Sequence, residues 1–170
     1  RHIKTDSASG TATEIQTTGD VLLKAGDSIG TDANRIELRE VAKLAAVSAG
    51  ASAAGEIFVR KITGTANNLE LGTVTAVNAA SGLDGTVAGT LSGVVTSAND
   101  NDVTVTVASG SLNVTQNVTA QGTGAVALQA IGTTSDVNVN GGTSSSTSGN
   151  LQARAGRSIL TSTATGTTNE

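Results

Sequence analysis

The chain has 170 residues, a length typical of a single domain, and a formal net charge of −4. No basic stripe is present to neutralise phosphates, which argues against nucleic-acid binding, and no apolar run approaches the roughly 20 residues needed to span a bilayer. Phe58 is the single aromatic residue, and Trp, Tyr, Met, Cys and Pro are absent. Disulfides and thiol chemistry are therefore excluded, and any core must be narrow and filled by small or β-branched side chains.

The two ends of the chain differ in pattern from its middle. The chain begins at Arg1 rather than Met, which indicates a processed product or an excised fragment. Residues 1–18 and 157–170 are rich in Thr and Ser, and we predict extended segments there that add a strand to a neighbouring subunit. Residues 19–156 are predicted to form one β-solenoid domain.

Short alternating segments recur along this middle part, each bounded by Gly, Asn, Asp or Ser. Strict alternation places one face of a strand inside and the other in water, and frequent turn residues favour many short strands. The predicted strands are residues 20–26, 34–38, 56–59, 68–71, 102–107, 111–114, 125–128, 136–139 and 150–153.

Residues 40–54 (EVAKLAAVSAGASAA) are compatible with two structures. Ala is the best helix former, and Val41, Leu44 and Val47 follow a helical spacing. The glycines at 50 and 55 limit a helix, so a strand and a short capping helix both remain open. The Ser/Thr run at 143–148 predicts local disorder.

A repeat connects the later strands. The segments that start at Asp102, Ala125 and Asn150 lie 23 and then 25 positions apart. Such a spacing fits one coil of a β-solenoid, in which each coil buries its inner face only by stacking on its neighbours. The step from Asp20 to Glu56 is longer and predicts an insertion or an extra strand. The alternative fold is an antiparallel β-sandwich, which usually carries a core Trp or Tyr and edge prolines that this chain lacks.

Residues 19–30 (GDVLLKAGDSIG), 34–38 (NRIEL) and 55–59 (GEIFV) resemble the repeats of giant bacterial surface exoproteins. These include filamentous-haemagglutinin-like proteins and autotransporter-type β-helix proteins, with the pattern G-[ND]-[IV]-x-[LIV]-x-A-G-x-x-[IL]-G. The resemblance covers residues 19–59 well and 100–165 loosely. It implies an all-β, right-handed parallel β-helix outside the cell, and no catalytic residue.

Calcium is the ion that the sequence favours, because carboxylates and carbonyls crowd two turns. Asp100 and Asp102 lie in the run NDND at 99–102, and Asp27 and Asp32 lie in a second acidic turn. Neither turn matches an EF-hand or the nonapeptide Gly-Gly-x-Gly-x-Asp repeat, so the sequence favours polar turns in which Asx side chains hold the backbone over calcium sites. Asn113 and Asn117 begin tandem N-x-T sequons and are candidate glycosylation sites.

The sequence predicts no enzyme. His2 is the only histidine, and we expect it to be solvated in a mobile terminus. Stacked coils would align Glu37, Glu56 and Glu70 in one column. We expect that column to be a charged outer face rather than an active site, with basic neighbours at Arg35, Arg39, Arg60 and Lys61.

These features favour an extracellular, cell-surface structural subunit that polymerises head to tail into a fibre or surface layer. Two alternatives stay open. One is an adhesin passenger that contacts cell surfaces or glycans. The other is a polysaccharide-degrading β-helix enzyme, which would need a pair of carboxylates in a groove.

Overall fold

The computed structural model describes residues 2–6, 12–50, 55–63, 68–76 and 89–162, and every regular element in these ranges is a β-strand. The strands are β1 (Ile15–Gln16), β2 (Asp20–Ala25), β3 (Ile36–Arg39), β4 (Lys43–Ser48), β5 (Ile57–Lys61), β6 (Leu69–Leu71), β7 (Thr73–Ala76), β8 (Gly89–Ser92), β9 (Val94–Asn99), β10 (Val103–Val107), β11 (Leu112–Val114), β12 (Val118–Gln121), β13 (Val126–Ala130), β14 (Val137–Val139), β15 (Ser144–Ser146), β16 (Leu151–Ala155) and β17 (Ile159–Thr161).

The strands stack into a parallel β-solenoid of about five turns with three faces. Face A contains β1, β3, β5, β10, β13 and β16, face B contains β6, β11, β14 and β17, and face C contains β9, β12 and β15. The six-residue strand β4 serves two faces, because Lys43 pairs with Glu70 on face B while Ala46 pairs with Val94 on face C. Strand β2 pairs along the whole of β4.

The parallel β-helix is thus confirmed, and the antiparallel sandwich is wrong. Among the described strands, only β7 and β8 pair antiparallel. A parallel pair needs a long connection, which here is the rest of one coil. Val103 pairs with Val126, and Val126 pairs with Leu151, which confirms the predicted steps of 23 and 25 positions.

The long step from Asp20 to Glu56 contains the additional strands β3 and β4, one of the two predicted alternatives, and not an insertion. Asp20 begins β2 and Glu56 precedes β5 on a different face, so these residues do not occupy equivalent positions. The true insertion is the β7–β8 hairpin, which leaves the coil between β6 and β9. Gly93 donates its main-chain N–H to the Gly72 carbonyl at 3.0 Å, so the two ends of the hairpin meet.

The core is a set of columns of small and branched side chains that run through the coils. On β10, Val103, Val105 and Val107 point inward and are fully buried. They stack in register on Val126, Leu128 and Ala130 of β13. Such a narrow interior is filled by Val, Leu, Ile and Ala, which explains why the sequence needs no inward aromatic residue.

The outer side of face A is also partly covered. The loop at 30–35 leaves the face at Gly30, whose φ of +70° suits glycine and whose added Cβ would lie 2.4 Å from the Phe58 carbonyl oxygen. Arg35 of this loop donates a hydrogen bond across β5 to the Thr106 hydroxyl at 3.0 Å. Phe58 takes an outward position beside Thr104 and is nevertheless buried.

The structure of three segments bears on predictions made from the sequence. Residues 43–48 form a strand, not a helix. The run at 143–148 contains β15, because Val118 of the preceding coil offers Ser144 a ladder partner, so the predicted disorder is wrong. The paired strands also extend past the predicted domain limits of 19 and 156, since β1 pairs with β3 and β17 with β14. Residues 7–11, 51–54 and 163–170 lie outside the described residues.

Candidate functional sites

The acidic run at 99–102 forms a corner whose side chains fasten neighbouring coils. Asp100 has a φ of +65°, and its Oδ1 accepts hydrogen bonds from the Thr123 main-chain N–H (3.1 Å) and hydroxyl. These bonds hold the pKa of Asp100 below its usual value. Asp102 accepts the Ala125 N–H at 2.8 Å. Buried Asn101 accepts the Gly55 N–H at 2.9 Å from the preceding coil.

The second acidic turn makes two separate side-chain contacts with basic residues. The His2 Nε2 atom lies 3.6 Å from an Asp27 carboxylate oxygen, and the Arg35 guanidinium lies 2.7 Å from Asp32. Within the described ranges, no three His, Cys, Asp or Glu residues are arranged to hold a metal ion. In the structure, the Asp100 and Asp102 side chains bond to the next corner, whereas Asp27 and Asp32 contact His2 and Arg35.

His2 is not simply solvated as predicted. Its Nδ1 atom lies 2.9 Å from the Ser28 hydroxyl and accepts the Ser28 main-chain N–H at 3.3 Å. Together with Asp27 this set has the composition of a catalytic triad. The Ser28 side chain is buried, however, at 5% exposure. The contacts therefore tie the first residues to the second coil, beside the bridge between Ile3 and Ile29.

The predicted column of Glu37, Glu56 and Glu70 does not form. Glu37 pairs with Arg60 on face A, whereas Glu70 lies on face B between Lys43 and Asn113. The column that does form on the outer side of face A contains Glu37, Arg60, Thr106, Gln129 and Arg154. The Arg60 guanidinium lies 3.9 Å from the carboxylate of Glu37, which is only 1% exposed.

Glu56 lies instead beside Asp102, at the corner before face A. Burial raises the pKa of the Glu56 carboxyl, and the negative charges of Asp102 and Asp32 raise it further. One carboxylate from each predicted calcium turn thus acts on Glu56 through its charge. Asp102 itself accepts the Ala125 N–H and so belongs to a stacked corner.

Lys61 lies in the core, so its prediction as part of the outer face is wrong. It occupies an inward position of β5, in register with Leu38 and Val107, and is fully buried. Its ammonium donates hydrogen bonds to the main-chain carbonyls of Val41 (2.5 Å) and Asn68 (2.6 Å), which belong to two successive corners. Burial lowers the pKa of Lys61, and the nearby Glu40 charge opposes that shift.

The two sequon asparagines take part in the stacking of the coils. The Asn113 Oδ1 accepts a hydrogen bond from the Asn138 amide at 2.8 Å, and the two residues are ladder partners on face B. The Asn117 Oδ1 accepts the Thr143 N–H at 3.1 Å in the next corner. Both side chains thus connect one coil to the next.

Two further surface features are not among the candidate site residues that the sequence predicts. The first is the C-terminal rung, by which we mean β15, β16 and β17. Leu151 is 57% exposed and Ile159 is 52% exposed, although both continue inward columns of the core. The second is the β7–β8 hairpin, where Thr73 bonds Ser92 at 2.8 Å and Thr75 bonds Thr90 at 3.0 Å on an exposed face.

Comparison with known proteins identifies no relative: no family model matches the chain, and neither the curated proteins nor the solved structures give a match. In the part of the chain that the structure describes, no helix is long and apolar enough to cross a membrane. The fold class, a parallel β-solenoid, therefore rests on the strand pairing itself.

Proposed function

We propose that this protein is a non-enzymatic structural subunit of an extracellular bacterial fibre or surface layer, assembled by strand pairing between the ends of successive subunits. The observation that carries the proposal is the C-terminal rung. Leu151, Ile159 and Leu160 are each at least half exposed there, in strands whose outer edges have no partner among the described residues. Exposed strand edges of this kind are templates for further pairing.

The polar groups at the corners also support a structural role. Asp100, Asn101, Asp102 and Asn117 direct their side chains to the main chain of adjacent coils. Such bonds stabilise the stacking of the coils, and they already occupy the polar atoms of these side chains. The resemblance of residues 19–59 to surface exoprotein repeats is the basis for placing the protein outside the cell.

The test is the size distribution of the purified chain as a function of concentration, measured by mass photometry and negative-stain electron microscopy. We expect monomers on dilution, and linear particles of one uniform width on concentration. A chain that stays monomeric at all concentrations would refute the proposal.

A second candidate, an adhesin passenger, is favoured by the β7–β8 hairpin. The hairpin leaves the solenoid at a single point between Gly72 and Gly93 and carries rungs of hydroxyl groups on an exposed face. Inserted loops on a rigid scaffold are common binding elements. A glycan array probed with the wild-type chain and with a variant lacking the hairpin tests this candidate, which requires binding that the deletion abolishes.

A further inference from the structure

We propose that the partner of the C-terminal rung is the N-terminal rung of a second copy, docked so that each column of side chains continues from one subunit into the next. The N-terminal rung consists of Ile3, β1 and β2. This inference rests on the proposed function and specifies the faces, the register and the charged pair of the joint.

The direction of the strands permits such a joint. All ladders on the three faces are parallel, so the two ends of the stack present complementary edges. Among the residues that the structure describes, Ile3, β1 and β2 pair on one side only, with Ile29, β3 and β4. A second copy can therefore add its first rung to the last rung of the first copy with the same hydrogen-bond pattern that connects successive coils.

The apolar columns match across this joint. One inward column of face A contains Ile3, Ile29, Ile57, Val103, Val126 and Leu151. A second begins at Ile15 and ends at Ala155. In a head-to-tail stack Leu151 therefore meets Ile3 of the next copy, and Ala155 meets Ile15. Docking removes the apolar surface of Leu151 from water, which favours the contact.

The charged column on the outer side of face A also matches. Glu14 donates its main-chain N–H to the Glu37 carbonyl, which places it at the start of the column that ends at Arg154. The next copy's Glu14 would thus follow Arg154 by one coil. The chain already contains a neighbouring pair of the same two charges in the reverse order along the stack, because Arg60 lies one coil beyond Glu37 and forms an ion pair with it.

Disulfide trapping tests the register, because the chain has no cysteine of its own. Lys4 follows Ile3 and Gln152 follows Leu151, and both are exposed. In the proposed joint these two residues are ladder neighbours, at a separation that a disulfide can span. We expect the Lys4→Cys/Gln152→Cys variant to give a ladder of covalent multimers on oxidation. The matched control, Lys24→Cys/Gln152→Cys, places the first thiol on β2 and should give no ladder.

A charge-reversal substitution tests the proposed ion pair and should leave the folded structure of the subunit unchanged. Arg154→Glu would place two carboxylates at the joint, and we expect association to weaken by at least about tenfold. Arg39→Glu, on an exposed residue of β3, should leave association unchanged. If the wild type associates, three results would each overturn this register and leave self-assembly itself intact. They are equal ladders of multimers in the two cysteine variants, covalent dimers without larger multimers, or an Arg154→Glu variant that associates as strongly as the wild type. A wild type that never associates overturns both proposals.

Discussion

At the scale of single residues, Lys61 has the most unusual environment in the described structure. It replaces an apolar residue in an inward column, and two main-chain carbonyls receive its ammonium group. Hydrogen bonds to the charged form favour it, whereas burial disfavours it, and burial has the larger effect on the pKa of Lys61. Lys61 thus joins two corners at the cost of desolvating a charge.

We predict that this cost is visible in alkaline solution. The folded-state pKa of Lys61 lies below 10.5, its usual value, so between those two values the unfolded chain binds more protons. The free energy of unfolding should therefore rise with pH up to about pH 10.5. Tyr and Cys, which also titrate in this range, are absent from the chain.

Urea denaturation at a series of alkaline pH values measures this dependence. Lys61→Met, which keeps the length of the side chain, should remove the slope, and Lys24→Met on an exposed position of β2 should retain it. A slope that persists in Lys61→Met would show that another group is responsible.

Glu56 gives a prediction of opposite character in acid. Burial and the charges of Asp102 and Asp32 raise its pKa, so its contribution to stability is present below its unfolded pKa near 4.5 and is lost as pH rises through the folded value. Glu56→Gln should therefore stabilise the protein at neutral pH, by at most about 1 kcal/mol, and have no effect below about pH 4. Thermal unfolding at both pH values checks this. The control Glu70→Gln, which breaks a 3.4 Å ion pair with Lys43, should destabilise at neutral pH.

At the scale of elements, the β7–β8 hairpin is an addition to a coil that is otherwise complete. Leu71 pairs with Val114 and Val94 pairs with Val118, so the next coil connects the same two faces by residues 115–117 alone. The hairpin does contribute packing, since Val74 is buried and the hairpin lies beside β4.

We predict that residues 72–93 can be replaced by the tripeptide Thr-Gln-Asn with the solenoid retained. The variant should keep the far-ultraviolet circular dichroism of a β-protein. It should lose about 1–3 kcal/mol of stability, the free energy that burying one valine side chain contributes, because the deletion removes Val74 and its packing beside β4. Urea denaturation gives the free energy. Loss of all cooperative unfolding would mean that the hairpin is an integral part of the core.

The sequence predicted strands well wherever alternation was regular. All nine predicted segments overlap observed strands, because a narrow core imposes a period of two on each of them. The same rule places Lys61 inward, since it shares the parity of Ile57 and Val59. Its charge nevertheless predicts a surface position, because the sequence does not reveal which main-chain carbonyls will accept hydrogen bonds from the buried ammonium.

The features of the candidate site that the sequence could not supply depend on which coil lies next to which. Ser144 reads as part of a polar linker, and only the ladder with Val118 makes it a strand residue. Residue type alone predicts one column of Glu37, Glu56 and Glu70. The positions of the corners instead place these residues in different columns. Registers of this kind are set by corner geometry, and a shift of one residue reverses every side chain.

At the scale of the whole molecule, stability is a sum of contacts between adjacent coils, and the last coil that the structure describes has a described neighbour on one side. The interior strands β5 and β10 pair on both sides, whereas β16 and β17 pair on one side only. Local opening should therefore cost least free energy at the C-terminal rung, where Leu151 and Ile159 already contact water.

Hydrogen–deuterium exchange at low and high protein concentration should resolve this gradient and its change on assembly. In dilute solution we expect amides of β16 and β17 to exchange faster than those of β5 and β10. On concentration, protection should rise in these two strands and, at the same concentration, in β1 and β2, because one joint covers both rungs. The interior strands should not change, since their partners are already in place. Protection that rises at the C-terminal rung alone would indicate contact between two such rungs and would exclude a head-to-tail stack.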